Sequence, residues 1–81
     1  MTVTIEFMGM QRVRTGRDSI QMALNGRTTA RQALDYLKTT YPELILNEDT
    51  ILVTVNHAVV PLDRVLESGD RLCFVPPIGG G

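Results

Sequence analysis

The sequence predicts an α+β fold, a mixed sheet of four to five strands with one main helix across one face. Alternating apolar and polar residues occur in both halves of the chain and are typical of half-buried strands. One apolar stripe with helical spacing lies between them. The chain has 81 residues and is 43% hydrophobic, so it has room for one domain and enough apolar side chains to pack its core.

The first two strands are predicted on either side of a basic segment. Residues 3–7 alternate in polarity, and so do residues 20–24. Residues 9–17 break the alternation, so we predict an exposed hairpin connection there and favour a solvated loop over a specific anion site. That connection carries three arginines, Arg12, Arg14 and Arg17. Asn25-Gly26 supplies turn chemistry at the end of the second strand.

The only helix that the pattern supports is predicted to start after Thr29. Thr29 and Gln32 match a capping box, in which each side chain satisfies a backbone amide of the other residue. Tyr41 precedes a proline and is therefore disfavoured in the α region, which ends the helix. A lone helix of about three turns is marginal in water, so its stripe must pack on the sheet. The stripe consists of Ala30, Ala33, Leu34 and Leu37.

The second half of the chain is predicted to be mostly strands and turns. In order, it should contain a strand at 51–55, a turn at Asn56-His57, a short strand at Val59-Val60, an irregular segment at 61–67, a tight turn at 68–70 and a last strand at 71–75. The order of all elements is that of the β-grasp arrangement.

The last strand presents different residues on its two faces. Leu72 and Phe74 share one face and, as the larger pair, are predicted to be core. Cys73 and Val75 share the other face, where a small apolar pair leading into the tail indicates a docking surface. For Cys73 itself we favour a half-covered packing role, because no nearby base or cation is placed to lower the pKa of its thiol.

Composition excludes several classes of function. The net charge is −1 with both signs interspersed, which does not favour a nucleic-acid or membrane partner. One histidine and one cysteine cannot form a zinc cluster, so no metal site is expected, and His57 is interpreted as a hairpin-tip residue. The single cysteine fits a cytoplasmic protein, and no signal peptide or membrane span is evident.

Residues 1–75 are predicted to form the domain and residues 76–81 a flexible tail, Pro76-Pro77-Ile78-Gly79-Gly80-Gly81. The prolines favour polyproline II and prevent strand pairing past Val75. The glycines have no side chains, and six extended residues reach roughly 20 Å. Such a tail could pass a carboxylate into a narrow channel of another protein. A frayed terminus or a leftover linker is the alternative.

These features resemble the MoaD/ThiS-type sulfur carriers of the ubiquitin-like superfamily, and most closely the molybdopterin synthase small subunit. The segments that carry the resemblance are Thr15-Gly16-Arg17-Asp18, Ala33-Leu34-Asp35-Tyr36-Leu37 with Tyr41-Pro42, Val55-Asn56, Leu66-Glu67-Ser68-Gly69-Asp70-Arg71-Leu72 and Val75-Pro76-Pro77-Ile78-Gly79-Gly80-Gly81. A terminal diglycine after Pro-Pro, on a chain of this topology, is a specific signal. A bare Gly-Gly would be a weak one.

The resemblance implies a carrier with no catalytic residue and no bound cofactor of its own. A ubiquitin-activating-type adenylyltransferase would use ATP to adenylate the carboxylate of Gly81. A sulfur donor, such as a cysteine desulfurase or a rhodanese-like protein, would then leave a thiocarboxylate on that residue. Gly79 and Gly80 would thread the tail into partner active sites. The residues expected to dock partners, including the molybdopterin synthase large subunit, are Cys73, Val75, Pro76, Pro77 and Ile78.

Other functional hypotheses remain open at this point. Val75 is smaller than the aromatic residue that the molybdopterin subunit can carry, and Gly79 replaces another small residue. The chain could instead supply sulfur for thiamine or another pathway, although Pro76-Pro77 favours molybdenum cofactor biosynthesis. A ubiquitin-like modifier conjugated through Gly81 would begin with the same adenylate. A β-grasp binding module with an inert tail is the third alternative.

Overall fold

The computed structural model of the chain describes residues 1–77, so the predictions for Ile78, Gly79, Gly80 and Gly81 lie outside the described residues. Within that range the chain forms β1 (Thr2–Glu6), α1 (Met10–Thr15), β2 (Ser19–Ala23), α2 (Ala30–Thr40), β3 (Leu52–Val55), β4 (Ala58–Val60) and β5 (Arg71–Val75). No helix among these residues has the length and apolarity needed to cross a membrane.

The five strands form one mixed sheet in the order β2-β1-β5-β3-β4. β1 and β5 are parallel, and every other neighbouring pair is antiparallel. The strand furthest along the chain therefore lies in the middle of the sheet, beside the first one. This arrangement confirms the predicted α+β fold with a mixed sheet.

One face of the sheet and helix α2 together enclose the core. The register places Ile5 opposite Leu72 and Val53 opposite Phe74, and all four side chains are buried. The helix contributes the predicted stripe, whose members are all buried as well: Ala30, Ala33, Leu34 and Leu37. The domain is thus held together by apolar burial on a single side of the sheet.

Helix α2 has the predicted ends. The Thr29 hydroxyl accepts a hydrogen bond from the Gln32 amide at 3.4 Å, and the Gln32 side chain accepts one from the Thr29 amide at 2.7 Å. These two bonds confirm the capping box. Tyr41 caps the other end through its amide, which donates to the Leu37 carbonyl at 2.8 Å. The helix therefore ends at Thr40, with Tyr41 as the cap before Pro42, as predicted.

The prediction of a loop throughout residues 9–17 is wrong, because six of these residues form helix α1. Gly9 lies at φ +54° before the helix, and Gly16 lies at φ +70° after it, where its amide donates to the Arg12 carbonyl at 2.8 Å. The helix has no apolar stripe because its buried residue is a polar one, Gln11. Periodicity could not reveal it, and only the two bracketing glycines hinted at an ordered segment.

The end of the sheet where β5 begins is tied together by polar bonds. The side chain of the buried Asp70 accepts hydrogen bonds from the Asn56 side chain at 3.0 Å and the Glu67 amide at 2.8 Å. Asn56 also accepts one from the Arg71 amide at 3.0 Å. Asn56 and His57 have positive φ values of 52° and 73°, so they form the tight turn between β3 and β4 that the sequence predicted.

Candidate functional site

The chain leaves the sheet from the end of its central strand. β5 pairs with β1 as far as Cys73 and with β3 as far as Val75. Pro76 and Pro77 follow, both exposed, and neither has an amide hydrogen with which to extend the pairing. The predicted end of the strand at Val75 is confirmed. We call residues 75–77 the tail root.

Gln11 fixes helix α1 beside the tail root. Its side-chain amide donates a hydrogen bond to the Phe74 carbonyl at 2.9 Å and accepts one from the Met8 amide at 3.1 Å. Because pairing with β1 ends at Cys73, the Phe74 carbonyl lies beyond the parallel ladder and needs another donor. The sequence analysis did not single out Gln11. Its importance depends on a contact between residues 63 positions apart.

The face of the sheet that α2 does not cover carries an apolar surface next to the tail root. Register places Val75 opposite Leu52 and Thr54 opposite both Cys73 and Val59, so these side chains share that face. Leu52 is 53% exposed and Val59 is 66% exposed. We define the open-face patch by five residues: Met8, Leu52, Val59, Cys73 and Val75.

Two of the predicted docking residues, Cys73 and Val75, belong to the open-face patch and are half-buried. Pro76 and Pro77 lie at its edge, because they help to line a cavity of about 320 Å³ together with Met8, Met10 and Val75. Three predicted docking residues, Val75, Pro76 and Pro77, therefore line one depression, and Cys73 lies in the adjoining open-face patch. Their role as docking residues remains a prediction.

The environment of Cys73 does not activate its thiol. The Sγ atom lies 3.5 Å from the Sδ atom of Met8. Burial raises the pKa of the Cys73 thiol, and the nearby Glu6 carboxylate shifts it in the same direction. A raised pKa lowers the fraction of reactive thiolate at neutral pH. The contacts agree with a packing role for this residue.

The remaining polar side chains of residues 1–77 are satisfied by hydrogen bonds or lie near the surface. In that range no three His, Cys, Asp or Glu side chains are grouped closely enough to hold a metal ion. His57 lies exposed in the β3–β4 turn, and every buried side-chain nitrogen or oxygen that the structure describes has a hydrogen-bond partner. The two ion pairs seen there, Arg31–Glu48 and Arg71–Glu6, are partly exposed.

Comparison with known proteins relates the sequence to characterised relatives. The model of the ThiS family matches residues 5–81. The chain is 30% identical to the molybdopterin synthase sulfur carrier subunit of Haemophilus influenzae, with 98% of this chain and 99% of the relative covered. It is 33% identical to the protein of the same name from Mycobacterium tuberculosis, with 83% and 78% covered.

A solved structure supports the fold independently. The crystal structure of SAMP1 from Haloferax volcanii matches with a TM-score of 0.82 at 24% identity, and the match covers the whole of both chains. The arrangement of strands and helices described above is therefore one that occurs in an experimentally determined protein of the same size.

Proposed function

Because the chain belongs to the ThiS family of small, non-catalytic ubiquitin-like sulfur carriers, we propose that it carries sulfur as a thiocarboxylate on Gly81. The observation that carries this proposal is the extent of the family match, which runs through the final residue of the tail. The geometry of the tail root supports it, since β5 delivers the chain out of the sheet beside an exposed apolar surface.

The chemistry follows from the low reactivity of a free carboxylate. Gly81 must be activated before sulfur can replace one of its oxygens, and an adenylyltransferase would do this by transferring AMP from ATP with release of pyrophosphate. A sulfur donor would then displace AMP and leave the thiocarboxylate. The carrier would contribute the acid group, and its partners would contribute the catalytic residues.

Each residue of the tail would help it to enter the active sites of those partners. Gly79 and Gly80 have no side chains, so they fit a narrow channel and leave the carbonyl of Gly81 open to attack. Pro76 and Pro77 restrict the backbone at the tail root, which favours an extended path away from the domain. Ile78, which lies between these two pairs in the sequence, would offer one apolar side chain to a partner.

We propose that the pathway is molybdenum cofactor biosynthesis and that the chain acts in it as the small subunit of molybdopterin synthase. Both curated relatives are named as sulfur carrier subunits of that enzyme, and this chain covers nearly the full length of one of them. The proposed partner is the large synthase subunit, which would bind the open-face patch and receive the tail. An exposed apolar surface of this kind is expected of a protein that docks with several partners in turn.

Intact-mass measurement tests the proposed chemistry. The purified chain is incubated with the adenylyltransferase of its source organism, ATP and sulfide. Replacement of one oxygen by sulfur should add roughly 16 Da, located on Gly81 by fragmentation. A chain shortened by Gly81 is the control, and it should melt like the full chain yet gain no mass.

Two results would contradict the proposal: no mass gain in the full chain, or an equal gain in the shortened one. Amide-linked adducts with other proteins, formed in place of the thiocarboxylate, would instead indicate the modifier alternative.

A further inference from the structure

A second apolar surface lies at the tail root, on the side that faces the core. It surrounds a cavity of about 120 Å³, which we call the α1-side cavity, lined in part by Met10, Arg14, Leu44, Ile45, Leu46 and Pro76. Ile45 is 83% exposed and Met10 is 61% exposed, so two large apolar side chains beside this cavity are open to solvent. Leu44 is buried with the core, and none of the five residues of the open-face patch lines this cavity.

The apolar surface is continuous around the tail root. Pro76 lines the α1-side cavity, the depression beside the open-face patch and a third depression of about 370 Å³ that Ile45 and Ile51 also border. Pro76 therefore borders three depressions that contain apolar side chains. The residues of the open-face patch line only one of the three.

We propose that the α1-side cavity is a second docking surface for the adenylyltransferase that activates Gly81, and that it accepts one apolar side chain flanked by a carboxylate that pairs with Arg14. This inference rests on the proposed function. It adds a contact on the side of the tail root that the open-face patch does not reach.

The length of the tail brings the enzyme to this surface. Four residues separate Pro77 from the end of Gly81, and they span at most about 14 Å when extended. An enzyme that acts on the Gly81 carboxylate must therefore place its active site within that distance of Pro77. A channel that surrounds the tail then has walls on both sides of Pro76, and one wall faces the α1-side cavity.

The cavity has the size and charge for the proposed occupant. A cavity of about 150 Å³ lined by apolar side chains accepts a benzene ring, so about 120 Å³ suits one aliphatic side chain. Arg14 lies at its rim, where Nη1 is 3.5 Å from the Glu43 carbonyl oxygen. Within residues 1–77 no carboxylate is within ion-pair distance of Arg14, which leaves its charge for a partner.

Helix α1 holds the cavity in place before any partner arrives. The bonds of Gln11 to Phe74 and Met8 attach this helix to β5 and to the segment after β1. Met10 directly precedes Gln11 and Arg14 follows it by three residues, so the same helix positions both. A preformed surface loses less entropy on binding than a disordered one, which favours a specific contact here.

ATP–pyrophosphate exchange by the adenylyltransferase, measured against carrier concentration, tests the inference. Ile45→Glu and Arg14→Glu should each raise the KM for the carrier about tenfold or more and leave kcat within about twofold, because the altered residues contact the enzyme and not the reacting atoms. Tyr36→Glu is the matched control, since Tyr36 is exposed on α2 and should leave KM unchanged. Arg14→Lys should retain most of the affinity.

The outcomes separate this inference from the function on which it rests. If the unaltered chain supports no exchange, the proposed function fails. If it supports exchange and Ile45→Glu behaves like Tyr36→Glu, the second docking surface is overturned. An effect of Ile45→Glu without one of Arg14→Glu overturns the carboxylate partner. If the Ile45→Glu chain supports normal exchange but delivers sulfur poorly, the cavity does not dock the activating enzyme, and that assignment is overturned.

Discussion

The two faces of the central strand differ in what their side chains do. On one face Leu72 and Phe74 are almost completely buried beneath α2. On the other face Cys73 and Val75 are only half-buried, beside Leu52 and Val59, which are largely exposed. Both sets are apolar, so composition alone does not distinguish them.

The difference shows how a small domain separates stability from recognition. Alternation along a strand sends successive side chains to opposite faces, so five residues can serve both purposes without overlap. Apolar groups that are removed from water stabilise the fold, whereas those left in water are available to a partner. Substitutions on the two faces should therefore have different consequences, and the following experiments test that separation.

The largest effect is expected for Leu37→Asp, on the helix that covers the buried face. Leu37 is buried in the core, and an unpaired carboxylate there costs several kcal/mol against a total stability of about 5–15 kcal/mol. Circular dichroism should show no cooperative melting transition. Tyr36→Asp, at the neighbouring exposed position, should still melt cooperatively. A Leu37→Asp chain that melts near the normal temperature would show that α2 does not protect the core as described.

A matched pair of leucines compares the two faces directly. Leu72→Ala should lower the free energy of unfolding by about 2–5 kcal/mol, because it leaves a cavity in the core. Leu52→Ala, on the open face of the neighbouring strand, should cost less than about 1 kcal/mol. Urea denaturation measures both values. Similar losses for the two variants would contradict the separation between the faces.

Gln11 attaches helix α1 to the central strand, and its loss should have an intermediate effect. Gln11→Leu removes the hydrogen bonds to the Phe74 carbonyl and the Met8 amide and should cost about 1–3 kcal/mol. Hydrogen exchange of the Met8 amide should also become faster. Gln21→Leu, an exposed change in β2, is the control. If the two variants are equally stable, Gln11 does not anchor α1.

The smallest expected effect is a shift in the pH at which the Cys73 thiol becomes reactive, and it is measured on the unaltered sequence. Burial raises the pKa of its thiol, with a further contribution from Glu6, so the folded chain holds this proton more tightly than the unfolded chain does. The stability linked to this group is present below the thiol pKa of the unfolded chain and is lost as the pH rises through the folded value. The midpoint pH for alkylation by iodoacetamide should therefore be higher in the folded chain than in urea. A lower midpoint would indicate an activated thiol.

Local pattern was sufficient to predict much of the fold. The period-two alternation assigned Leu72 and Phe74 to the core and Cys73 and Val75 to the other face, and the capping box located the start of α2 correctly. Helix α1 was missed because its six residues have no apolar stripe, and its buried residue is held by a contact distant in sequence.

The candidate site could be predicted only in part. The sequence was sufficient to predict Cys73, Val75 and the two prolines as docking residues, because they lie in or next to the tail. Met8, Leu52 and Val59 were not, because only the pairing register between strands brings them beside β5. A register across such sequence separations depends on the whole sheet and not on any local signal. The roles of Gly79, Gly80 and Gly81 remain predictions.

The central position of β5 has a consequence for synthesis of the protein. β1 and β3 are both neighbours of β5 and do not pair with each other, so the sheet cannot close until residues 71–75 have left the ribosome. Nascent chains and products of early termination would lack the strand that joins the two halves. A copy that lacks residues 71–75 also lacks Gly81, so the sheet and the proposed acceptor are completed by the same stretch of chain.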